Sequence, residues 1–538
     1  MWLMEVNMRK IIDSPGKKAS GRSLLILLVL VFAISFFLTS GITYASEANA
    51  AANYKYGDVN GDGSIDALDF SLFKMYLLKT IDSFPVTDGE IIADLDGKDS
   101  VTAIDLSLLK QFLLGLIDKF PVDQSNPVNI PWNWAGVIGT GQSLSVGAQA
   151  NPAVTTTQPY HNLKLSLGNT TVPPFNPNST SLRMVPLVEP IRSYATGYPG
   201  PYPGNIYGET PHTVMANQIT ALVQSNFSKD YITAHTVVGE SGQGMVAIKK
   251  GATDTGSVGR AYAASIFEVN AIKRLAAAEG KTYGVGAIII THGETDSGSS
   301  TYGNDLYKLW SDYNQDIRAI TGQSQSIPLF VSQQHAYPSN SGTSAGTLQQ
   351  WRVGLDHPGD IICTGPKYQY PYYSDGVHLV ASGYQQLGEK LGEIYYEKVV
   401  LGKDWQPLQP TSVSKSGRVI TVNFHVPVAP LVWDTTLPAP NQSTLTEWRN
   451  GKGFEVSTAS GRITISSVEI SGNAVKITCA SDLPSSGVKV GYANNTGGTK
   501  RTNGTVRWGL LKDSDTFKGS TTGIAQPNYC VAFEMAVP

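Results

Sequence analysis

Residues 58–78 and 94–114 repeat one pattern, DVNGDGSIDALDFSLFKMYLL and DLDGKDSVTAIDLSLLKQFLL. A duplication constrains its segment strongly, because each copy must supply the same supersecondary unit. In the first copy Asp58, Asn60, Asp62, the Ser64 carbonyl, Asp66 and Asp69 place oxygens at the first, third, fifth, seventh, ninth and twelfth positions of a loop. Gly63 stands sixth, where a calcium loop turns sharply, and hard oxygen donors in this number suit Ca²⁺. Phe70, Phe73, Met75, Leu77 and Leu78 then give a helix with an apolar face. Each copy shows one loop and one helix, without the entering helix of a full EF-hand.

The pair resembles a type I dockerin over about residues 54–123. The resemblance implies a small all-α, calcium-binding module that docks onto a cohesin of a scaffoldin through Ala67, Leu68, Ala103 and Ile104. The second loop departs from the pattern, with Lys98 in place of the fifth ligand and Asp99 in place of the glycine. Asp94, Asp96, the Ser100 carbonyl and Asp105 are therefore expected to hold a second ion more weakly, leaving the first loop to carry most of the calcium-dependent folding.

Ahead of the repeats, basic residues precede the apolar run LLILLVLVFAISFFL at 24–38 and small-residue cleavage sites at Ala45 and Ala50. This reads as a secretory signal with its processing region over 1–50. A retained anchor is the alternative, because the apolar span approaches the roughly 20 residues a bilayer needs. Either reading exports the chain, to the medium or to a cell-surface cellulosome, and signal cleavage leaves no membrane segment. At 538 residues, three or four domains are expected. Charged residues make up 15% and the net charge is −3, so no basic face for nucleic acid is present. Three cysteines exclude a disulfide framework, with Cys479 and Cys530 the candidates for a pair.

After a linker at 124–130, residues 131–402 alternate strand and helix signals. AGVIG (135–139), YITAHTVV (231–238), GVGAIIIT (284–291), IPLFVS (327–332) and DIICT (360–364) read as buried parallel strands. Helices are expected over 211–225, 257–279 and 303–320. Open α/β sheets bind ligands at the carboxyl ends of their strands, which directs attention to GTGQSLSVG, GESGQGM, HGETDS and YSDGVHLVASGY.

The order of these blocks resembles the SGNH, or GDSL-like, hydrolases, and among them carbohydrate acetylesterases with a Gly-Gln-Ser nucleophile motif. The resemblance implies an α/β/α flavodoxin-like domain and catalysis without a cofactor. Ser143 would be the nucleophile, His378 the base that takes its proton, and Asp375 the group that fixes the imidazole. Oxyanion donors would be the Ser143 and Gly242 amides and, where the family carries an Asn or Gln side chain, His292. Glu294 and Asp296 read either as buried hydrogen-bonding supports or as direct participants. Asp375 could instead cap the following helix, although Ser382 with Gln385 offers that helix its own capping box.

Two rivals use other residues. GESGQ around Ser241 approaches the nucleophile elbow of α/β-hydrolases, with Gln243 where a glycine belongs. His292, Glu294, Asp296, His335 and His378 could form a metal site but lack a recognisable ligand spacing. The insertion between the first two strands carries Tyr194, Tyr198, Tyr202 and Tyr207, which would either stack on sugar rings or pack the loop itself.

Residues 409–538 alternate with period two and predict a β-sandwich, with Trp433, Trp448 and Trp508 as sugar platforms or as core. Together these features predict a secreted cellulosomal esterase acting on acetylated plant cell-wall polysaccharide such as xylan. A non-catalytic polysaccharide-binding subunit and a GDSL-type lipase are the alternatives.

Overall fold

The structure, a computed structural model, describes residues 55–97, 100–117, 120–122, 130–168, 172–192, 201–340, 342–501 and 505–538. The expected signal region, Lys98, Asp99, Tyr194, Tyr198 and all of the linker except residue 130 lie outside the described residues. The chain divides into two compact units, Met1–Ser125 and Asn126–Pro538.

In the first unit, helices α1 (Ala67–Leu77), α2 (Gly89–Ala93) and α3 (Ala103–Leu113) follow the repeat. Each loop hands over to its helix through a capping box, Asp66 with Asp69 before α1 and Thr102 with Asp105 before α3. Val59, Phe73, Phe84, Leu95, Leu109 and Phe120 form the core. The two copies contribute equivalent members, Val59 with Leu95 and Phe73 with Leu109, as a duplicated unit requires.

The second unit begins with strands β1 (Trp134–Gly141), β2 (Leu163–Ser166) and β3 (Arg183–Pro186) and helix α4 (Pro211–Phe227). It continues with β4 (Thr233–Val237), α5 (Met245–Ile248), α6 (Ala261–Ala278), β5 (Tyr283–Thr291), α7 (Tyr302–Thr321), β6 (Leu329–Gln333) and β7 (Gly342–Thr343). Helix α8 (Ala345–Asp356), β8 (Ile361–Pro366) and α9 (Ala381–Tyr395) complete this part. Seven strands form one sheet in the order β3-β2-β4-β1-β5-β6-β8, parallel throughout except for the antiparallel β2–β3 pair. Every residue of β1, β4, β5, β6 and β8 is buried, which explains their unbroken apolar runs. One apolar cluster joins α6 and α7 to the sheet and another joins α4 and α9 to it. β2 and β3 arise from within the insertion and add two strands to the five read from sequence.

The C-terminal part contains β9 (Gln409–Ser416), β10 (Val419–His425), β11 (Val432–Trp433), β12 (Phe454–Thr458) and β13 (Gly461–Arg462). It ends with β14 (Ile465–Ser471), β15 (Ala474–Cys479), β16 (Val488–Tyr492), β17 (Asn495–Thr496), β18 (Leu511–Lys512) and β19 (Phe533–Val537). Two four-stranded antiparallel sheets, β14-β15-β10-β9 and β13-β12-β16-β19, share one apolar core. Trp448 and Trp508 are buried in it, with their indole N–H groups donated to the Val456 and Pro438 carbonyls, so they are core residues. Trp433 is half-buried beneath the Lys452 ammonium. Cys479 and Cys530 are free, buried thiols, which removes the pairing considered from sequence.

The change from α/β to all-β near residues 402–409 is internal to this second unit. The Gln333 amide donates to the Thr347 and Ala532 carbonyls at 2.9 Å each and accepts from the Ala532 N–H at 2.8 Å. Trp351 donates to Gln409 at 2.9 Å, and the Tyr368 hydroxyl donates to the Cys530 carbonyl at 2.8 Å. The Arg507 guanidinium holds the Tyr337 and Pro338 carbonyls at 2.8 Å and that of Gly342 at 3.0 Å.

Candidate active site

The end of β1 is shaped by a close approach. Gly141 has φ +134°, and a Cβ there would lie 2.2 Å from the Thr291 carbonyl at the end of β5. Only glycine fits such a backbone, and the chain then turns through Gln142 into a short 3-10 helix, Ser143–Val146. Ser143 opens that turn and is 7% exposed.

The loop between β8 and α9 brings in the partners. His378 Nε2 lies 2.7 Å from Ser143 Oγ across 235 positions, and His378 Nδ1 lies 2.7 Å from Asp375 Oδ2. A carboxylate only accepts, so Nδ1 carries the proton and the Nε2 lone pair faces the serine hydroxyl. Asp375 Oδ1 accepts the amides of Val377 and His378 at 2.9 and 3.0 Å. Partial burial works to raise the Asp375 pKa, but the His378 ring and these two amides outweigh it and hold the carboxyl below its ordinary value. Asp375 thus serves the loop and the imidazole, not α9. The N-cap of α9 is Val380, without a side-chain cap, so the Ser382–Gln385 box read from sequence does not form.

Gly242 stands at φ +69° in the turn after β4 and lines the same cavity as Ser143. Among the described residues, the Ser143 and Gly242 amides donate to no protein acceptor, as two oxyanion donors should. The third expected donor fails. His292 is fully buried, its Nε2 lies 2.9 Å from the Gln243 carbonyl and its Nδ1 lies 2.7 Å from the Tyr302 hydroxyl. Facing a carbonyl, Nε2 must donate to it, so the one N–H of the neutral ring is already used. Burial lowers the His292 pKa, in keeping with that neutral ring. His292 instead clamps the turn that presents Gly242, together with Thr295, whose hydroxyl donates to the Gly242 carbonyl at 3.3 Å, and Asp296, which accepts the Met245 amide at 2.8 Å.

Ser143, Gly242, Glu294, Asp375 and His378 line one cavity of about 530 Å³. Tyr207 of the insertion lines it too, whereas Tyr202 is wholly buried and donates to Glu268 at 2.6 Å, as a packing residue. A second cavity of about 540 Å³, lined by Asp434, Lys512 and Tyr529 among others, shares no residue with it. Among the described residues Ser241 Oγ is buried without a hydrogen-bond partner, so the elbow rival has no base there. The proposed metal set does not assemble either, since among the described residues only Asp94, Asp96 and Asp105 group as metal ligands. Sequence reasoning passed over Lys367, buried and 3.3 Å from Glu294 Oε1; a lysine just past a buried strand in a charge-poor domain was the available signal.

In the first unit, the carboxylate oxygens of Asp94, Asp96 and Asp105 lie within 4.8 Å of one another. In the first loop Asp58 accepts the Gly61 and Gly63 amides at 2.9 Å each, Asn60 accepts from Asp62, and Asp62 accepts from Ser64, both at 2.8 Å. Asp69 takes the Val59 and Asn60 amides on one oxygen and that of Asp66 on the other. Both donor sets are oxygen throughout, as a hard divalent cation prefers, but among the described residues only the second loop's carboxylates gather as cation ligands; in the first loop, expected to hold the tighter ion, Asp58 and Asp69 accept backbone amides instead. Leu68 and Ile104 are 61% and 55% exposed beside Ala67 and Ala103, at matching first turns of α1 and α3.

Residues 56–114 match the family model of the dockerin type I domain. This segment is a type I dockerin. Two β-glucanase sequences from Acetivibrio thermocellus are 60% identical to the chain over 35 residues, 6% of this chain and 10% of theirs. The match therefore spans about a tenth of those relatives' length. The dockerin of a cohesin–dockerin complex from Acetivibrio cellulolyticus is 39% identical over 13% of this chain and 97% of its own, with a TM-score of 0.13. A carbohydrate acetylesterase from Xanthomonas citri is 12% identical, with a TM-score of 0.47, over 74% of this chain and 80% of its own. A protein from Arabidopsis thaliana is 17% identical, with a TM-score of 0.36, over 50% of this chain and all of its own. At TM-scores under 0.5, these structural likenesses assign no activity.

Proposed function

We propose that the chain is a secreted, dockerin-bearing serine esterase of the SGNH type that removes O-acetyl groups from plant cell-wall polysaccharide. The observation that carries this reading is the hydrogen-bonded chain from Ser143 through His378 to Asp375, at 2.7 Å for each step. Ser143 Oγ attacks the acetyl carbonyl while His378 Nε2 takes its proton, and the charge on the carbonyl oxygen falls to the Ser143 and Gly242 amides. His378 returns the proton to the departing sugar oxygen, leaving an acetyl-serine. Water, deprotonated by the same imidazole, then attacks the acetyl carbonyl; acetate departs and the serine recovers its hydrogen. Asp375 stabilises the imidazolium in both halves. No step in this sequence requires a cofactor.

In the dockerin, Asp58, Asn60, Asp62, Ser64, Asp66 and Asp69 would hold one Ca²⁺, and Asp94, Asp96, Ser100 and Asp105 a second. The ion's part is structural, tying each loop to the start of its helix. Ala67, Leu68, Ala103 and Ile104 would then face a cohesin of a scaffoldin, placing the enzyme on a cellulosome outside the cell.

Acetate release from acetylated xylan tests the enzymatic reading. Wild type is expected to release acetate and Ser143→Ala to lose about 10³-fold or more of kcat. An inert wild type would favour a polysaccharide-binding subunit, and a fully active variant would exclude Ser143 as nucleophile.

A further inference from the structure

The end of β6 adds a further element to the cavity at Ser143. Tyr337 lies four residues past that strand and lines the cavity together with Ser143 and His378. Its backbone is fully engaged. The N–H donates to the Gln334 side-chain carbonyl at 2.9 Å, and the carbonyl accepts from the Gln334 side-chain amide at 2.7 Å and from Arg507 at 2.8 Å. Gln334 and Arg507 are themselves buried. Tyr337 is nevertheless 39% exposed, so the surface it presents belongs to its side chain.

That ring is treated unlike the other aromatic groups of this domain. Tyr302, Tyr313 and Tyr384 are wholly buried, and Tyr307, almost as exposed as Tyr337, is stacked on Trp310 and on His357. Among the described residues the Tyr337 ring stacks on no aromatic partner and its hydroxyl takes part in no hydrogen bond. An aromatic side chain left in solvent forgoes the gain of burial. Fixing its backbone while the ring stays open means that contact with a ligand orders little that is not already ordered.

The rest of the lining indicates what meets the ring. The cavity, about 530 Å³, is far larger than an acetyl group and lies in the range that encloses a whole small ligand. No lysine or arginine lines it among the described residues, so nothing there calls for an anion. Ala148 and Val377 are too few to sheath a long acyl chain, while Gln142, Gln149 and Thr295 bring amides and a hydroxyl. An aromatic face among polar groups suits a pyranose, which offers an apolar C–H face and a rim of hydroxyls.

We propose that Tyr337 is the platform on which the ester-bearing sugar stacks, setting its acylated oxygen beside His378. This rests on the esterase reading above. Stacking of this kind binds substrate and transition state alike, so its loss appears in KM.

The experiment measures acetate release by the full chain from a monoacetylated xylotetraose and from triacetin, an ester with no ring to stack. In Tyr337→Ala the ratio of kcat/KM on the oligosaccharide to that on triacetin is expected to fall about tenfold, through KM. Tyr337→Phe, which restores the ring, should return the ratio to within about twofold of wild type. A merely structural Tyr337 would lower both rates together and leave the ratio where it was. A ratio held in Tyr337→Ala, a loss confined to kcat, or a Phe variant as impaired as the Ala variant overturns the platform while the esterase reading stands. So does a wild type that hydrolyses triacetin but not the xylotetraose. A wild type that hydrolyses neither ester overturns both. If Tyr337→Ala loses all activity, Tyr337→Leu, which keeps apolar bulk without a ring, takes its place and must show the same fall in the ratio, or the platform is overturned.

Discussion

Asp375 shows how much one side chain can be asked to do. It closes a tight turn with two amides and orients an imidazole with its other oxygen. Its carboxyl is held below the ordinary value, so the contribution of this arrangement is complete above the usual carboxylate pKa of about 4. It is lost only as pH falls through the lower folded value. A pH–rate profile should therefore show no loss attributable to Asp375 between about pH 5 and 8. Asp375→Asn should lower kcat by about 10³- to 10⁴-fold at pH 7 by favouring the wrong imidazole tautomer, a drop steady-state kinetics would read directly. Ser143, His378 and Asp375 could be picked out as candidates in the sequence because they sit in blocks at strand ends and because a serine hydroxyl needs a base, and their 2.7 Å contacts support the proposed triad. The role of His292 was not legible there. From position alone it occupies the place of a donor side chain, and only the Gln243 carbonyl at 2.9 Å reveals where its N–H goes. Lys367 was equally hidden, since a buried lysine is recognised by its partner, which lies 73 positions away.

At the scale of elements, the site is a product of strand ends drawn tightly together. β1 and β5 pair in parallel up to Gly141 and Thr291, and the contact there leaves no room for a side chain. Gly141→Ala should cost about 3 kcal/mol, because a backbone carbonyl cannot yield as a side chain would and φ is unfavourable as well. Urea unfolding of the second unit would measure the loss, and a cost under about 0.5 kcal/mol would contradict the tight junction. The five central strands were legible because both faces of the sheet are covered and the strands read as continuous apolar runs. β2 and β3 escaped notice for the opposite reason. They are four residues each, set among proline and polar residues, and β3 is nowhere fully buried, so no periodic signal marks it. The capping of α9 was misread because Ser382 lies inside the helix, one residue past its start at Ala381.

For the whole molecule, the division into Met1–Ser125 and Asn126–Pro538 separates two kinds of stability. The dockerin core is small and its loops are built from carboxylates, so the first unit should depend on bound cation, whereas the second rests on extensive apolar clusters. In scanning calorimetry of the full chain, chelator should shift only the dockerin transition and leave the other in place. A chelator-induced shift of both would contradict this division. The change to all-β structure was legible from the alternating pattern after residue 409, but its attachment was not, because Gln333, Trp351, Tyr368 and Arg507 give no sign in sequence of partners more than fifty positions away. Arg507 anchors the backbone of Tyr337, which borders the cleft beside Ser143. Recombination can therefore exchange the dockerin as a cassette at residues 125–126, but a crossover at 402–409 would strand half of a continuous hydrogen-bonded seam on each product. Whatever lineage carries this chain must inherit everything after the docking module as one piece.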